Sequence, residues 1–237
     1  MYDREVEGKE FTFGVSGKLI RNVLVMYDRE TNSYWSQLLG EAFDGEMVGA
    51  KLTFLPSWLM TWEEWKKRHP DTIALDKNGR RGSRDTYDSY YASESAGVIG
   101  RSNLDDRLQT KEFVIGVELA DTAVAYPFSV LNEQPLVNDS VAGHDLLVTL
   151  DVKGGAGAVF NRTVDGQTLT FSQNEDQTTM VDAETGSTWD RMTGKAIDGP
   201  LSGSELERMK SVASFWFGWV DFHPDTIVYG LDQENSN

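Results

Sequence analysis

Met26-Tyr27-Asp28-Arg29-Glu30-Thr31-Asn32-Ser33-Tyr34-Trp35 comes back 154 residues later as Met180-Val181-Asp182-Ala183-Glu184-Thr185-Gly186-Ser187-Thr188-Trp189. The kept residues are of two kinds. Asp, Thr and Ser have short side chains that bond the nearby backbone and favour turns, while Trp is a large packing body. Downstream, Gly40, Ala42, Asp44, Gly45, Gly49 and Leu52 fall on Gly194, Ala196, Asp198, Gly199, Gly203 and Leu206, and His69-Pro70-Asp71-Thr72-Ile73 falls on His223-Pro224-Asp225-Thr226-Ile227. From Met26 to Ile73, 20 of 48 positions are identical. Upstream the offset becomes 158: Arg4, Val6, Gly8, Thr12 and Phe13 match Arg162, Val164, Gly166, Thr170 and Phe171, so one copy is four residues longer between Gly14 and Val25.

This periodicity is read as two diverged copies of one unit. Residues 1–75 form the first, 76–108 a linker, 109–231 a fuller but degenerate second copy, and 232–237 a tail. Met1 stands opposite Val159, so the first copy has no counterpart of the block from about Glu112 to Ala158. A missing natural N-terminus is preferred to internal loss, because a half-unit leaves a sheet edge and an apolar face uncovered.

The patterning is strand-rich. Strands are expected at Glu112–Leu119, Ala123–Pro127 and Asp145–Leu150. Val159–Val164 and Leu169–Phe171 are read as a hairpin through Asp165-Gly166, a pattern that Met1–Val6, Glu7-Gly8 and Glu10–Phe13 repeat. One helix is well signalled, with Thr61 as N-cap and Glu64 completing a capping box before Trp65–His69. Ser214–His223 should form its weaker partner. The linker is expected to hold a short irregular segment around Tyr87–Tyr91. The fold class is therefore mainly β (α+β), two pseudo-repeated β-rich halves with one short helix each.

Composition limits function. A net charge of −16 repels nucleic acid and anionic lipid, which removes both as default partners. Acids spread along the chain point to a salt-adapted source, with an acidic marine or mesophilic protein as the alternative. No apolar run reaches the roughly 20 residues of a membrane helix. The first residues hold no signal peptide, and export stays open if the N-terminus is incomplete. With no cysteine, disulfides, thiolate nucleophiles and Cys-ligated metals are excluded.

Phe13-Gly-Val-Ser16-Gly17-Lys18-Leu19, the Met26–Gln37 stretch, the Trp62-x-x-Trp65 helix and His69-Pro-Asp-Thr72 resemble the uncharacterised family called domain of unknown function 3179. Ala125-Tyr-Pro127, Val137-Asn-Asp139 and Asp182–Trp189 resemble it more weakly. The resemblance implies a name more than an activity. It also implies, in the block before the signature, a His beside an Asn-Asp pair and a Cys-Pro-Leu-Cys-like segment. Here Gln134 and Asp151-Val-Lys-Gly154 stand in those places, so if those His and Cys residues carry the family's chemistry, this chain does none of it.

Residues present in both copies are read as structural: Trp35/Trp189, Trp62/Trp216 and Trp65/Trp219 as core anchors, Asp44-Gly45 and Asp198-Gly199 as turns, and His69/His223 as imidazoles capping helix carbonyls. Three His without paired spacing make no metal site. Residues specific to the first copy are the ligand-binding candidates: Lys18, Arg29, Ser16, Tyr27 and Gln37. Lys18 and Arg29 suit an anion, while an ion pair of Arg29 with Asp28 or Glu30 is the structural alternative. A Ser16–Lys18 nucleophile pair is disfavoured, because alternate strand residues face opposite sides. No catalytic residue and no cofactor are assigned. The function expected is a non-enzymatic binding or interaction module taking a small molecule or anion, with a homodimer through the uncovered edge. The alternatives are a fragment of an enzyme or metal protein whose His and Cys lie upstream, and a purely structural surface domain.

Overall fold

Short strands and tight turns dominate the computed structural model, which describes residues 1–74, 88–97, 100 and 104–232. β1 (Glu5–Val6) and β2 (Lys9–Glu10) form a small ladder turning at Glu7-Gly8. A four-stranded antiparallel meander follows, β3 (Phe13–Ile20), β4 (Val23–Asp28), β5 (Tyr34–Ser36) and β6 (Glu41–Asp44). Next come helices α1 (Trp62–Arg68) and α2 (Asp88–Tyr91). β7 (Phe113–Leu119) and β8 (Thr122–Pro127) lead through α3 (Phe128–Glu133) into β9 (Leu136–Val141), β10 (His144–Asp151) and β11 (Ala156–Asn161). A second small ladder, β12 (Thr163–Val164) and β13 (Gln167–Thr168), precedes a second meander: β14 (Phe171–Gln173), β15 (Thr179–Asp182), β16 (Thr188–Asp190) and β17 (Ala196–Asp198). β18 (Ser211–Phe215), α4 (Trp216–Phe222) and β19 (Ile227–Val228) finish the described chain, and β18 and β19 join β7 and β8 in the order β18-β7-β8-β19.

The second half is layered. β10 is apolar on both faces because both are covered: Leu146, Val148 and Leu150 meet Ile115, Val117 and Tyr126 of the β7–β8 sheet, while Leu147 meets Phe171, Met180 and Trp189 of the second meander. The outer face of β7–β8 carries α4, where Trp216, Trp219 and Val220 pack on Val114 and Ala125. Gly116 makes this close approach feasible: a Cβ there would lie 2.3 Å from the Trp219 ring. The first meander has a smaller core of Val6, Phe11, Trp35, Ala42 and Leu52.

Each meander turns on a buried carboxylate. Asp28 accepts from Trp35 Nε1 at 2.9 Å, from the Thr31 N–H at 2.5 Å and from the Thr31 hydroxyl at 2.8 Å. Asp182 accepts from Trp189 Nε1 at 2.8 Å, Thr185 N–H at 2.6 Å, Thr185 Oγ1 at 3.0 Å and Ser187 N–H at 3.1 Å. Burial would raise both carboxyls, but the indole and turn donors outweigh it and hold both below the ordinary value. Ser33 and Ser187 then accept from the Met47 and Leu201 N–H groups at 3.0 and 2.9 Å. Gly45 and Gly199, at φ 95° and 89°, lie against those serines, where a side chain would clash and the backbone would be strained.

Some expectations need correction. The expected hairpin through Asp165-Gly166 forms but is shorter, β12 pairing β13 across that turn, while Val159–Asn161 belongs to β11 and Phe171 to β14. α3 and β9 were not anticipated. Residues 211–215 pair as β18, so α4 begins at Trp216 rather than Ser214, and Phe215 at its N-cap makes no side-chain bond. The capping box of α1 is half made: the Glu64 N–H donates to Thr61 Oγ1 at 3.4 Å, but the Thr61 N–H goes to the Gly154 carbonyl and the Glu64 carboxylate to Lys67. His69 and His223 cap through backbone N–H donation to Trp65 and Trp219, and their rings lie on those indoles at 4.2 and 4.1 Å. Trp62 is no core anchor, being 53% exposed, whereas Trp216 is fully buried. Asp88–Tyr91, expected to be irregular, is helical. Most of the expected 76–108 linker, Tyr87 and residues 233–237 lie outside the described residues.

The halves meet through a few directed contacts. Lys210 Nζ donates to the Leu39 carbonyl at 3.0 Å and lies 3.2 Å from Glu118, whose other oxygen is 3.2 Å from His223 Nε2. The His223 bond, followed by Lys210 and against the opposing effect of burial, pulls the Glu118 carboxyl down to about 2. At the tip of β3–β4, Arg21 donates to the Asp221 carbonyl at 2.6 Å and lies over Phe222. The Arg208 guanidinium sits over Trp58 and Phe160, 5.4 and 5.1 Å from their centroids.

Two outcomes are expected. Asp182→Ala strands four donors and should cost on the order of 3 kcal/mol in urea unfolding. Because the Glu118 carboxyl is depressed in the fold, its contribution is full above the ordinary 4.5 and is lost as pH falls toward 2. Urea midpoints from pH 5 to pH 2.5 should therefore fall less steeply for Glu118→Gln than for the parent chain, and parallel curves would exclude that contribution.

Candidate functional site on the first sheet

The β3–β4 hairpin sets this surface. Gly14 pairs with Tyr27, and Tyr27 pairs with Tyr34, forming one cross-strand row. Tyr27 lies so close over Gly14 that a Cβ there would fall 2.6 Å from the ring. Beyond Val15 the register shifts: Val15 pairs with Met26 and Leu19 with Leu24, so Ser16, Gly17 and Lys18 together oppose Val25. Such a bulge re-aims side chains. Lys18 is thereby carried over Tyr34, its Nζ 3.9 Å from the ring centroid.

Ser16, Tyr27, Asn32 and Tyr34, with Val15, line an open hollow of about 370 Å³. Arg29 stands beside it, donating from Nη1 to the Tyr27 hydroxyl at 3.0 Å with its guanidinium 5.4 Å from that ring. Among the described residues neither Lys18 nor Arg29 reaches a carboxylate within 4 Å. The ion pair considered for Arg29 does not form, for local reasons. Asp28 is turned inward to Trp35, and the Glu30 carboxylate accepts from the Thr12 N–H at 2.9 Å.

Two of the five sequence candidates, Ser16 and Tyr27, line the hollow, while Lys18 and Arg29 each contact one of its tyrosines. Gln37 does neither: it lines a separate cavity of about 250 Å³ with Met1, Tyr2, Leu38 and Phe54. Sequence reasoning missed Asn32 and Tyr34. Tyr34 was legible as a first-sheet aromatic replaced by Thr188 in the second, where Val181 and Thr188 make the corresponding pair. Ser16 and Lys18 form no nucleophile pair. The serine hydroxyl donates to the Val25 carbonyl at 2.6 Å and accepts the Lys18 N–H at 3.1 Å, while the ammonium faces the tyrosine.

The positions that the resemblance associates with His and Cys have local structural roles. The Gln134 N–H closes α3 on the Val130 carbonyl, and Asp151 Oδ1 accepts from the Lys153 and Gly154 N–H groups in the β10–β11 turn. Among the described residues, no three His, Asp or Glu side chains are grouped to hold a metal, and no helix is long and apolar enough to cross a membrane.

The sequence model of a family described as "Protein of unknown function (DUF3179)" matches residues 1–226. No curated protein matches the chain. No solved structure matches it either.

Lys18 and Arg29 touch only tyrosines at the surface, and exposed cation–π contacts are worth about 0.5–1 kcal/mol. Lys18→Ala and Arg29→Ala are each expected to change unfolding free energy by no more than about 1 kcal/mol. A larger loss in urea titration would assign these residues a structural role.

Proposed function

Since the chain belongs to DUF3179, a family of proteins of unknown function, we propose a function from its surface: a non-enzymatic binding module that takes a small anion on the first sheet. The observation that supports it is a pair of cations without acids. In a chain of net charge −16, Lys18 and Arg29, like several other described cations, make no ion pair, but these two rest on Tyr34 and Tyr27 beside an open hollow. An anion carrying a flat apolar body would meet both kinds of group, charge at the rim and ring faces below. Exposure and the acidic surface keep the affinity low, on the order of millimolar. Calorimetric titration of benzoate at constant ionic strength should give saturable heat that Lys18→Ala/Arg29→Ala abolishes. Heat unchanged in that double variant removes the site.

A second reading is favoured by α1. The Trp65 and Trp219 indoles each donate to a threonine, Thr72 or Thr226, at 3.0 Å. Yet α4 is buried under β7 and β8 while α1 has no buried residue. On this reading the chain holds two copies of one unit, residues 1–75 and 109–231, and α1 belongs under a sheet supplied by sequence ahead of Met1. That segment would then be the place for reactive His and Cys and for any metal chemistry of the longer protein. Extending the gene upstream should move Trp62 from water to an apolar setting, read as a blue shift of tryptophan emission absent in Trp62→Phe. If the present chain instead dimerises in sedimentation and loses dimerisation in Trp62→Ala, a second copy covers the helix and the upstream reading falls.

A further inference from the structure

Among the described residues Arg191 is a buried cation that makes no ion pair. It is 5% exposed and follows the buried Trp189 by two residues, where the first meander has the exposed Gln37. A guanidinium keeps its charge at any ordinary pH and offers five N–H donors. Yet the side chain makes one hydrogen bond, from Nη1 to Gln173 Oε1 at 2.8 Å. Nε is buried without a partner, and among the described residues no carboxylate lies within 4 Å of the group. Buried charges are ordinarily paired in direct contact, whereas Asp151, Asp176 and Asp190 act on this one only from farther off.

The side chain lines a cavity of about 470 Å³ between α1, the β10–β11 turn and the second meander. Two more cations, Arg68 of α1 and Lys153 of the turn, line the same cavity. Four acids also line it, Glu64, Glu133, Asp151 and Asp176, and all but Glu133 are committed to other groups. Asp151 holds the turn N–H groups and makes a single long contact with Arg68 at 3.4 Å. Asp176 accepts from the Thr178 and Thr179 N–H groups, each at 2.8 Å, and Glu64 lies 2.6 Å from Lys67.

We infer that this cavity is a binding site for a small oxyanion, a carboxylate or phosphate, held by Arg191 with Arg68 and separate from the hollow on the first sheet. A planar oxyanion takes two parallel bonds from a guanidinium, which suits donors that the protein leaves unused. Because Arg68 comes from α1 and Arg191 from the second meander, an anion held by both also ties the two halves together. The surrounding negative field opposes entry, so binding strengthens as salt rises from low to moderate concentration.

The test is calorimetric and thermal titration of the intact chain with sodium phosphate and, separately, sodium succinate, against sodium chloride of equal ionic strength. A saturable heat and a raised melting temperature with either salt are expected, and which salt responds identifies the oxyanion. Arg191→Gln should weaken the response tenfold or more, the loss of one charge-assisted pair of about 1.5–3 kcal/mol. Arg68→Gln, a change on the more exposed helix, should weaken it several-fold and serves if the first variant fails to fold. Lys51→Ala, at an exposed cation that belongs to neither site, should leave the response unchanged. No response beyond the chloride control, or one that survives both Arg191→Gln and Arg68→Gln, overturns the inference. A response lost only in Arg29→Ala overturns it too and moves the site to the first sheet.

Discussion

A carboxylate bonded to an indole inside each meander is the constraint on which the rest depends. Asp28 and Asp182 sit where a strand ends and a turn begins, and each gathers donors from the turn and from the tryptophan of the next strand. This fixes three things together: the turn conformation, the depth of the tryptophan and the register of the strands. Phe13 meets Trp35 edge-on at 5.5 Å and 84°, and Phe171 meets Trp189 at 5.6 Å and 84°. Such agreement follows from a ring that cannot rotate once its N–H is committed. The serine two residues before each tryptophan passes the constraint on to the following turn.

The two meanders then diverge because of what lies beneath them. The second rests on β9–β11, which rests on β7–β8, which carries α4, so its helix and tryptophans are covered. The first has only its own small core. The stretch Leu55–Thr61 makes no strand, although residues 211–215, which match 57–61, pair with β7. It runs instead across the other half, placing Trp58 against Arg208 and Thr61 against Gly154. The junction is consequently built from charged and aromatic groups instead of a continuous apolar layer.

Much of the strand content was legible in the sequence, because alternation and continuous apolar runs report burial directly. Phe113–Leu119 and His144–Asp151 were clear for that reason, as was the Thr61 cap. What the sequence could not show was coverage. Trp62 and Trp216 occupy matching positions and read alike, yet one faces water because no sheet lies over it. β9 was hidden by its Asn-Asp-Ser stretch, whose side chains are used in specific bonds: Asn138 with Phe171, and Asp139 with the buried Tyr126 hydroxyl at 2.9 Å. At the candidate hollow, residue types were found but not geometry. The three-against-one bulge at Ser16–Lys18 overrides simple alternation, and Tyr34 becomes visible only once its pairing with Tyr27 is known. Arg191 looked like a mere replacement for Gln37, since its burial arises from α1 and the β10–β11 turn, far away in sequence.

The four residues by which the β3–β4 hairpin exceeds its counterpart are those that let Arg21 reach α4. That contact joins positions 200 residues apart. Closing so long a loop is entropically expensive and depends on both halves having already taken shape. The clasp therefore contributes little until the elements at both of its ends have taken shape. Loss of that contact alone leaves Lys210 on Leu39, Arg208 over Trp58 and Thr61 on Gly154 to hold the junction. The arginine at the hairpin tip is thus one of several ties across the junction, and of those named it spans the longest stretch of chain.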